Sequence, residues 1–163
     1  MTTAEQLQNK LTAILHGEPW YGPGVFDILA RTTFEAAYEK PPGSVHNIAE
    51  IVLHMLNWTT EVTERMQGKQ AGEPTGGDWP DPGAPDEHKW KGMVNDLKLA
   101  NVNLSGGIQN FPEDRWDQPT NDYRYSADGK GDSFRDLIEG IIQHHIYHSG
   151  QIALLNRIVG GLK

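Results

Sequence analysis

Apolar positions along the chain fall into helical registers separated by glycine- and proline-rich breaks. Leu7, Leu11 and Ile14 recur at steps of four and three, which predicts an amphipathic helix over 3–16 with Thr3 as its N-cap. The stretch Gly17-Glu18-Pro19-Trp20-Tyr21-Gly22-Pro23-Gly24 ends it, because proline cannot donate to a helix ladder and glycine favours turns. A shorter helical stretch follows at about 25–39 and closes at Pro41-Pro42-Gly43. Residues 44–67, with Ser44 as cap, carry the clearest seam: Val45, Ile48, Val52, Met55, Val62 and Met66, widened by Ile51 and Trp58. From Gly68 to Pro85 nine of eighteen residues are Gly or Pro, which is a surface loop and no helix interior.

A third long helix is predicted at about 86–110 with Asp86 as cap. Trp90, Val94, Leu97, Asn101, Leu104, Ile108 and Phe111 form its stripe. Residues 112–131 read as a loop with a short extended piece at Tyr123–Tyr125. A last helix then runs from an Asp132 or Ser133 cap to about Val159, where Gly160-Gly161 stop it. The pattern predicts an all-α fold, a four-helix bundle forming a single domain over 1–163. The long link between 44–67 and 86–110 leaves room for one crossover connection.

Composition narrows the functions open to such a bundle. A chain of 163 residues buries roughly 70% of its extended surface, so it needs no cross-link to hold a core. It contains no cysteine, which excludes disulfides, iron–sulfur clusters, thiolate metal sites and a cysteine nucleophile. A formal charge of −8, with 22 Asp and Glu against 14 Lys and Arg, argues against a nucleic-acid partner, which requires a basic patch. No apolar run approaches the ~18–20 residues of a membrane span, and Met1–Gln6 lacks the features of a secretory signal. The expectation is a cytoplasmic protein.

The histidines carry the chemistry. In the last helix Phe134, Leu137, Ile141, His144, His148, Gln151, Leu155 and Ile158 alternate steps of three and four, so His144 and His148 stand where the register calls for core side chains. Imidazoles at i and i+4 lie about 6 Å apart along the axis and point the same way, so both reach one metal at roughly 2.0–2.1 Å. The alternative is a pair satisfied by hydrogen bonds to each other, to Gln151 or to another helix. His145 is turned about 100° from this seam. His54, between Ile51 and Trp58, supplies a third candidate, whereas His16 and His88 fall near helix ends or loops and His46 opens its helix. His54, His144 and His148 together make a three-histidine site with an open position. Such a site suits Zn, Ni, Fe or Cu better than Mg or Ca. An imidazolium must lose its proton before it can bind, which places the loss of metal near pH 6.5.

Gly43-Ser44-Val45-His46-Asn47-Ile48-Ala49-Glu50-Ile51-Val52-Leu53-His54-Met55-Leu56-Asn57-Trp58 resembles a helix motif of the DinB/YfiT-like superfamily. His144-His145-Ile146-Tyr147-His148-Ser149-Gly150-Gln151-Ile152 looks like that family's C-terminal HxxxHxGQ motif, and Trp20-Tyr21-Gly22-Pro23 resembles a segment of one branch. The resemblance implies a DinB-type four-helix bundle, a homodimer, and a divalent transition metal (Zn, Ni or Fe) on His54, His144 and His148. Ser149 departs from the pattern, since arginine often stands there. The resemblance further implies a metal-dependent enzyme acting on a small-molecule substrate: a transferase using a low-molecular-weight thiol, or a hydrolase. A non-catalytic metal-binding stress or sensor bundle is the alternative.

The general base is not identified. Glu50 and Glu61 read as residues of a solvated face, Asn101 and Gln151 as core register devices or orienters of a histidine, and Trp20, Tyr21, Trp58 and Tyr147 as core or as pocket walls. Gly150 inside a helix suggests a close helix–helix approach. A ferritin-like dimetal site needs Glu-x-x-His pairs, and the chain has none.

Overall fold

A computed structural model describes residues 1–122, 124 and 131–160. Among them are six α-helices and no strand: α1 (Thr3–His16), α2 (Val25–Ala30), α3 (Phe34–Tyr38), α4 (Ile48–Met66), α5 (Glu87–Gln109) and α6 (Phe134–Ile158), with a 3₁₀ turn at Glu113–Arg115. The all-α expectation is met. The stretch at 25–39 is two short helices, because Thr33 leaves the helical path and caps α3 with its side chain. The extended piece expected at Tyr123–Tyr125 lies outside the described residues, Arg124 aside.

Side chains that satisfy orphan amides fix the helix ends. Thr2 and Glu5 form a reciprocal capping box on α1, Asn47 and Glu50 on α4, and Ser133 and Asp136 on α6, while Asp86 caps α5. The caps of α1 and α4 are therefore Thr2 and Asn47, rather than the expected Thr3 and Ser44. In both cases the residue used has an acidic partner three positions on.

The long helices α1, α5, α4 and α6 pack pairwise in a closed ring, with α1 opposite α4 and α5 opposite α6. The long α4–α5 connection joins two helices that pack extensively on each other, so its length is not spent on a crossover. One continuous apolar cluster draws on every helix; Leu7, Leu11, Ile48, Val52, Met55, Leu97, Leu104, Ile138 and Ile152 lie at its centre. Among the described residues no helix is long and apolar enough to cross a membrane.

The register of α6 differs from its expected seam. Its buried face runs through Phe134, Ile138, Ile141, Ile142, His145, His148, Ser149, Ile152 and Leu155. Leu137, His144 and Gln151 are half-buried at the edge of that face, and Ile158 is exposed. The helix is rotated by about one residue from the predicted seam because three neighbours, α1, α2 and α4, share its apolar surface. His145, expected off the core, is its deepest histidine, with no exposed surface. Gly150 is exposed, and nothing stands within 4 Å of where a Cβ would sit, so it marks no close approach.

Candidate metal centre

His54 projects from α4 and His144 and His148 from successive turns of α6, two helices that pack against each other. The Nε2 of His144 lies 2.9 Å from Nε2 of His54 and 3.1 Å from Nε2 of His148. The potential ligand atoms of all three lie within 4.8 Å of one another, the one such convergence of histidine and carboxylate groups among the described residues. Two nitrogens held tetrahedrally at 2.0–2.1 Å from one ion stand about 3.3 Å apart, close to these separations.

The outer nitrogens determine which way the lone pairs face. The Nδ1–H of His54 donates to the main-chain carbonyl of Asp78 at 2.7 Å, with the Asp78 carboxylate at 3.1 Å. The Nδ1–H of His148 donates to Oε1 of Gln151 at 2.6 Å. With the protons on Nδ1, both Nε2 atoms are bare and aimed at Nε2 of His144. Outer partners of this kind fix tautomer and ring orientation at metal sites. The Nδ1 of His144 is buried without a partner. A proton on its Nε2 would serve one neighbour and leave Nδ1 as an unmet acceptor, whereas a proton on Nδ1 leaves that N–H without an acceptor and all three Nε2 atoms bare. A cation at the meeting point satisfies three lone pairs together.

Burial keeps the cluster neutral. It is the main cause that lowers the His144 imidazole to about 3, with the neighbouring His148, His145 and His54 adding to it. Burial likewise lowers His148 to about 4 against the opposing bond to Gln151. His54 is lowered by burial too, partly offset by Asp78. The deprotonated form that a metal needs is therefore present well below pH 6.5, and the expected loss of metal near that pH moves to more acidic values.

The α4–α5 loop builds one wall of the site. Gly76 packs so closely on the Asn57 side chain that a Cβ would stand 2.7 Å from its amide, and Gly77 adopts φ +86°, so this approach requires two glycines. Asn57 donates to the Gly77 carbonyl at 2.8 Å and the Trp58 indole to the Asp78 carboxylate at 2.7 Å. Trp79 then lies parallel to two imidazoles, 3.6 Å from His46 and 3.8 Å from His54 between ring centroids. Glu61 secures the start of the loop. Expected on a solvated face, it is only 1% exposed and bonds Arg65 at 3.0 Å, Lys69 at 2.6 Å and the Gly72 amide at 3.3 Å. Burial pushes its carboxyl up, but the bonds from Lys69 and Arg65 outweigh this and hold it below the ordinary carboxylate value. The buried carboxylate is retained because its charge is matched.

Of the other sequence candidates, Gln151 orients a cluster histidine and Asn101 belongs to a separate pair, accepting from Nε2 of His145 at 3.0 Å. Glu50 is spent on the α4 cap and on His46 Nδ1 at 2.9 Å, so neither helix carboxylate joins the cluster. His16 and His88 are exposed, as expected. Trp58 supports Asp78 and Tyr147 meets His148 edge-on at 5.0 Å, whereas Trp20 is fully exposed and walls nothing. Asp78 and Trp79 were not foreseen. The only available signal was their place in the glycine-rich loop.

A cavity of about 220 Å³ between α4 and α6 has His144, Trp58, Val62 and Ile141 in its wall, giving the cluster an approach from one side. A larger hollow, about 490 Å³, lies among α2, α3 and α5 and touches none of the three histidines. Comparisons with protein families, with curated proteins and with solved structures find no match.

Proposed function

We propose that the protein holds one divalent transition metal on His54, His144 and His148 and uses it in catalysis on a small molecule. The observation that carries this is the inward aim of the Nε2 atoms, with the protons of His54 and His148 drawn outward by Asp78 and Gln151. Three nitrogens leave at least one coordination position open, the arrangement of catalytic rather than closed structural sites. The DinB/YfiT-like resemblance supports the same ligand set, a DinB-type four-helix bundle and a homodimer.

A metal there would lower the pKa of a bound thiol or water into the neutral range. That chemistry suits the surroundings, since Asp78, a carboxylate against the cluster, is already engaged by the Trp58 indole and the His54 ring. The chain's own residues hold the imidazoles neutral, aim them, and exclude water on the side covered by Trp79. A low-molecular-weight thiol is the cosubstrate that the DinB/YfiT-like resemblance suggests, and a chain without cysteine is compatible with it. Hydrolysis uses the same open position.

The test is elemental analysis of protein purified without a metal-affinity column, beside His148→Ala prepared identically. The reading expects near one metal per chain in the parent and none in the variant. No metal in either, with no uptake of added zinc or nickel, overturns it and leaves a hydrogen-bonded histidine core.

A further inference from the structure

The hollow of about 490 Å³ among α2, α3 and α5 has more than twice the volume of the one beside His144 and falls within the roughly 300–1,000 Å³ of small-molecule sites. Its apolar surface comes from Leu29 and Trp90, both buried, and from Phe34 and Val94, both half-buried. Much of its polar lining is already committed. The Thr32 hydroxyl donates to the Ile28 carbonyl and accepts from Asn156, the Thr33 hydroxyl accepts from the Ala36 amide, and Lys91 pairs with Glu87 at 2.7 Å. The Trp90 indole is the exception. The residue is only 4% exposed, yet its Nε1–H has no acceptor among the described residues. The indole nitrogen of Trp116 is sealed from solvent, whereas that of Trp90 is not, and the hollow is the open space that Trp90 borders. Buried indole N–H groups usually have a partner, so this donor is left for something that enters the hollow.

Two lining charges narrow the choice of ligand. Lys98 on α5 rests over the Phe26 ring at 5.6 Å and has no carboxylate partner among the described residues, and Glu35 on α3 has no cation partner there. They stand towards opposite ends. Phe26 lies by Lys98 and Tyr38 is within electrostatic reach of Asp86, so α2 and α3 run antiparallel to α5 and Glu35 falls nearer the α5 start. Trp90 and Lys98 are eight residues apart on α5, about 12 Å along its axis, and three extended residues span about 10 Å. A plain anion would meet Glu35 and a plain cation Lys98, whereas a zwitterion with its charges well separated suits both. Asn95, between them on α5 and also unpaired, offers an amide that both donates and accepts. We propose that this hollow binds a free peptide of two or three residues with an apolar side chain. Its ammonium meets Glu35, a backbone carbonyl accepts from the Trp90 N–H, and its carboxylate meets Lys98.

Calorimetry on the purified full chain tests it with the tripeptide Ala-Phe-Ala and two analogues, one acetylated at its N-terminus and one amidated at its C-terminus. The free tripeptide is expected to bind saturably, and each analogue about three- to fivefold more weakly, the worth of one exposed ion pair. Glu35→Gln should weaken the free tripeptide to the same degree and leave the acetylated one unchanged. Lys98→Gln should do the same with the amidated one as its insensitive ligand. Both positions are exposed, so both variants are expected to fold. In a nitrogen–proton correlation spectrum the Trp90 indole signal, assigned by its loss in Trp90→Phe, should shift most of the five on binding. Absence of binding overturns the inference. Equal affinity for all three peptides, variants that keep the parent's pattern, or an unmoved Trp90 signal each overturn it as well. None of the three clustered histidines lines this hollow, so these outcomes leave the metal reading untouched.

Discussion

His144 and His145 are adjacent on α6 and put burial to different uses. His145 has no exposed surface, and its Nε2–H is spent on Asn101 Oδ1, with the Thr59 hydroxyl at 3.5 Å and Asn101 in turn tied to the Leu97 carbonyl. His144 is shallower, yet its Nε2 meets two other bare nitrogens. Both rings are lowered to about 3, burial being the first cause in each, and both keep a buried Nδ1 without a partner, so neither titration nor an unmet nitrogen separates them. What separates them is the partner: a side-chain carbonyl closes the account of one proton, whereas converging lone pairs call for a cation. A buried histidine is a ligand candidate only when its neighbours also need an electrophile.

Removing a ligand should show the difference most strongly. His54→Ala and His148→Ala are expected to weaken zinc binding by more than the roughly 10–100-fold typical of losing an outer-sphere partner, read by competition with a chromogenic chelator. Gln151→Leu frees the His148 ring while keeping its volume. It is expected to weaken zinc by roughly 10–100-fold with little change in thermal midpoint. His145→Leu and Asn101→Leu invert that pattern. Each strands a buried polar partner and should cost about 1–3 kcal/mol in urea unfolding, with zinc stoichiometry unchanged. Loss of zinc from His145→Leu would erase the distinction between the two rings.

A pH series sharpens the comparison further. The cluster and His145 have folded-state pKa values below the ordinary 6.5, so between those values the unfolded chain takes up protons that the folded chain does not. Metal-free stability should be level above about pH 6.5 and fall steadily as pH drops from there towards about 3, measured as urea midpoints. Zinc affinity should hold through pH 6 and fail only under more acidic conditions. The smallest effect is expected from Asp78→Asn, under about tenfold on zinc, because the acceptor at 2.7 Å is the main-chain carbonyl and survives the substitution.

The parts legible in the sequence were those encoded by periodicity and by capping chemistry. The stripe of α5 from Trp90 to Phe111 is buried apart from the half-buried Val94, and Asp86 caps it as expected. His54, His144 and His148 converge as their spacing suggested, since a residue's face on its helix follows from its number. Relative rotation does not: the placement of His145 depended on how α1, α2 and α4 divide the surface of α6. Glu61 was misread because helical spacing cannot show a loop folding back to supply its amide partner. The loop contribution was the least legible. A carbonyl acceptor has no residue-type signature, and nothing local ties Asp78 to His54, 24 positions earlier.

The parallel stack of Trp79 on His54 makes the protein its own indicator. An indole in van der Waals contact with an imidazole is quenched according to that ring's electronic state, and withdrawing electron density from the imidazole changes the emission. Occupation of the cluster therefore has an optical signal built into the chain, which the difference spectrum between the parent and Trp79→Phe isolates from the other four tryptophans.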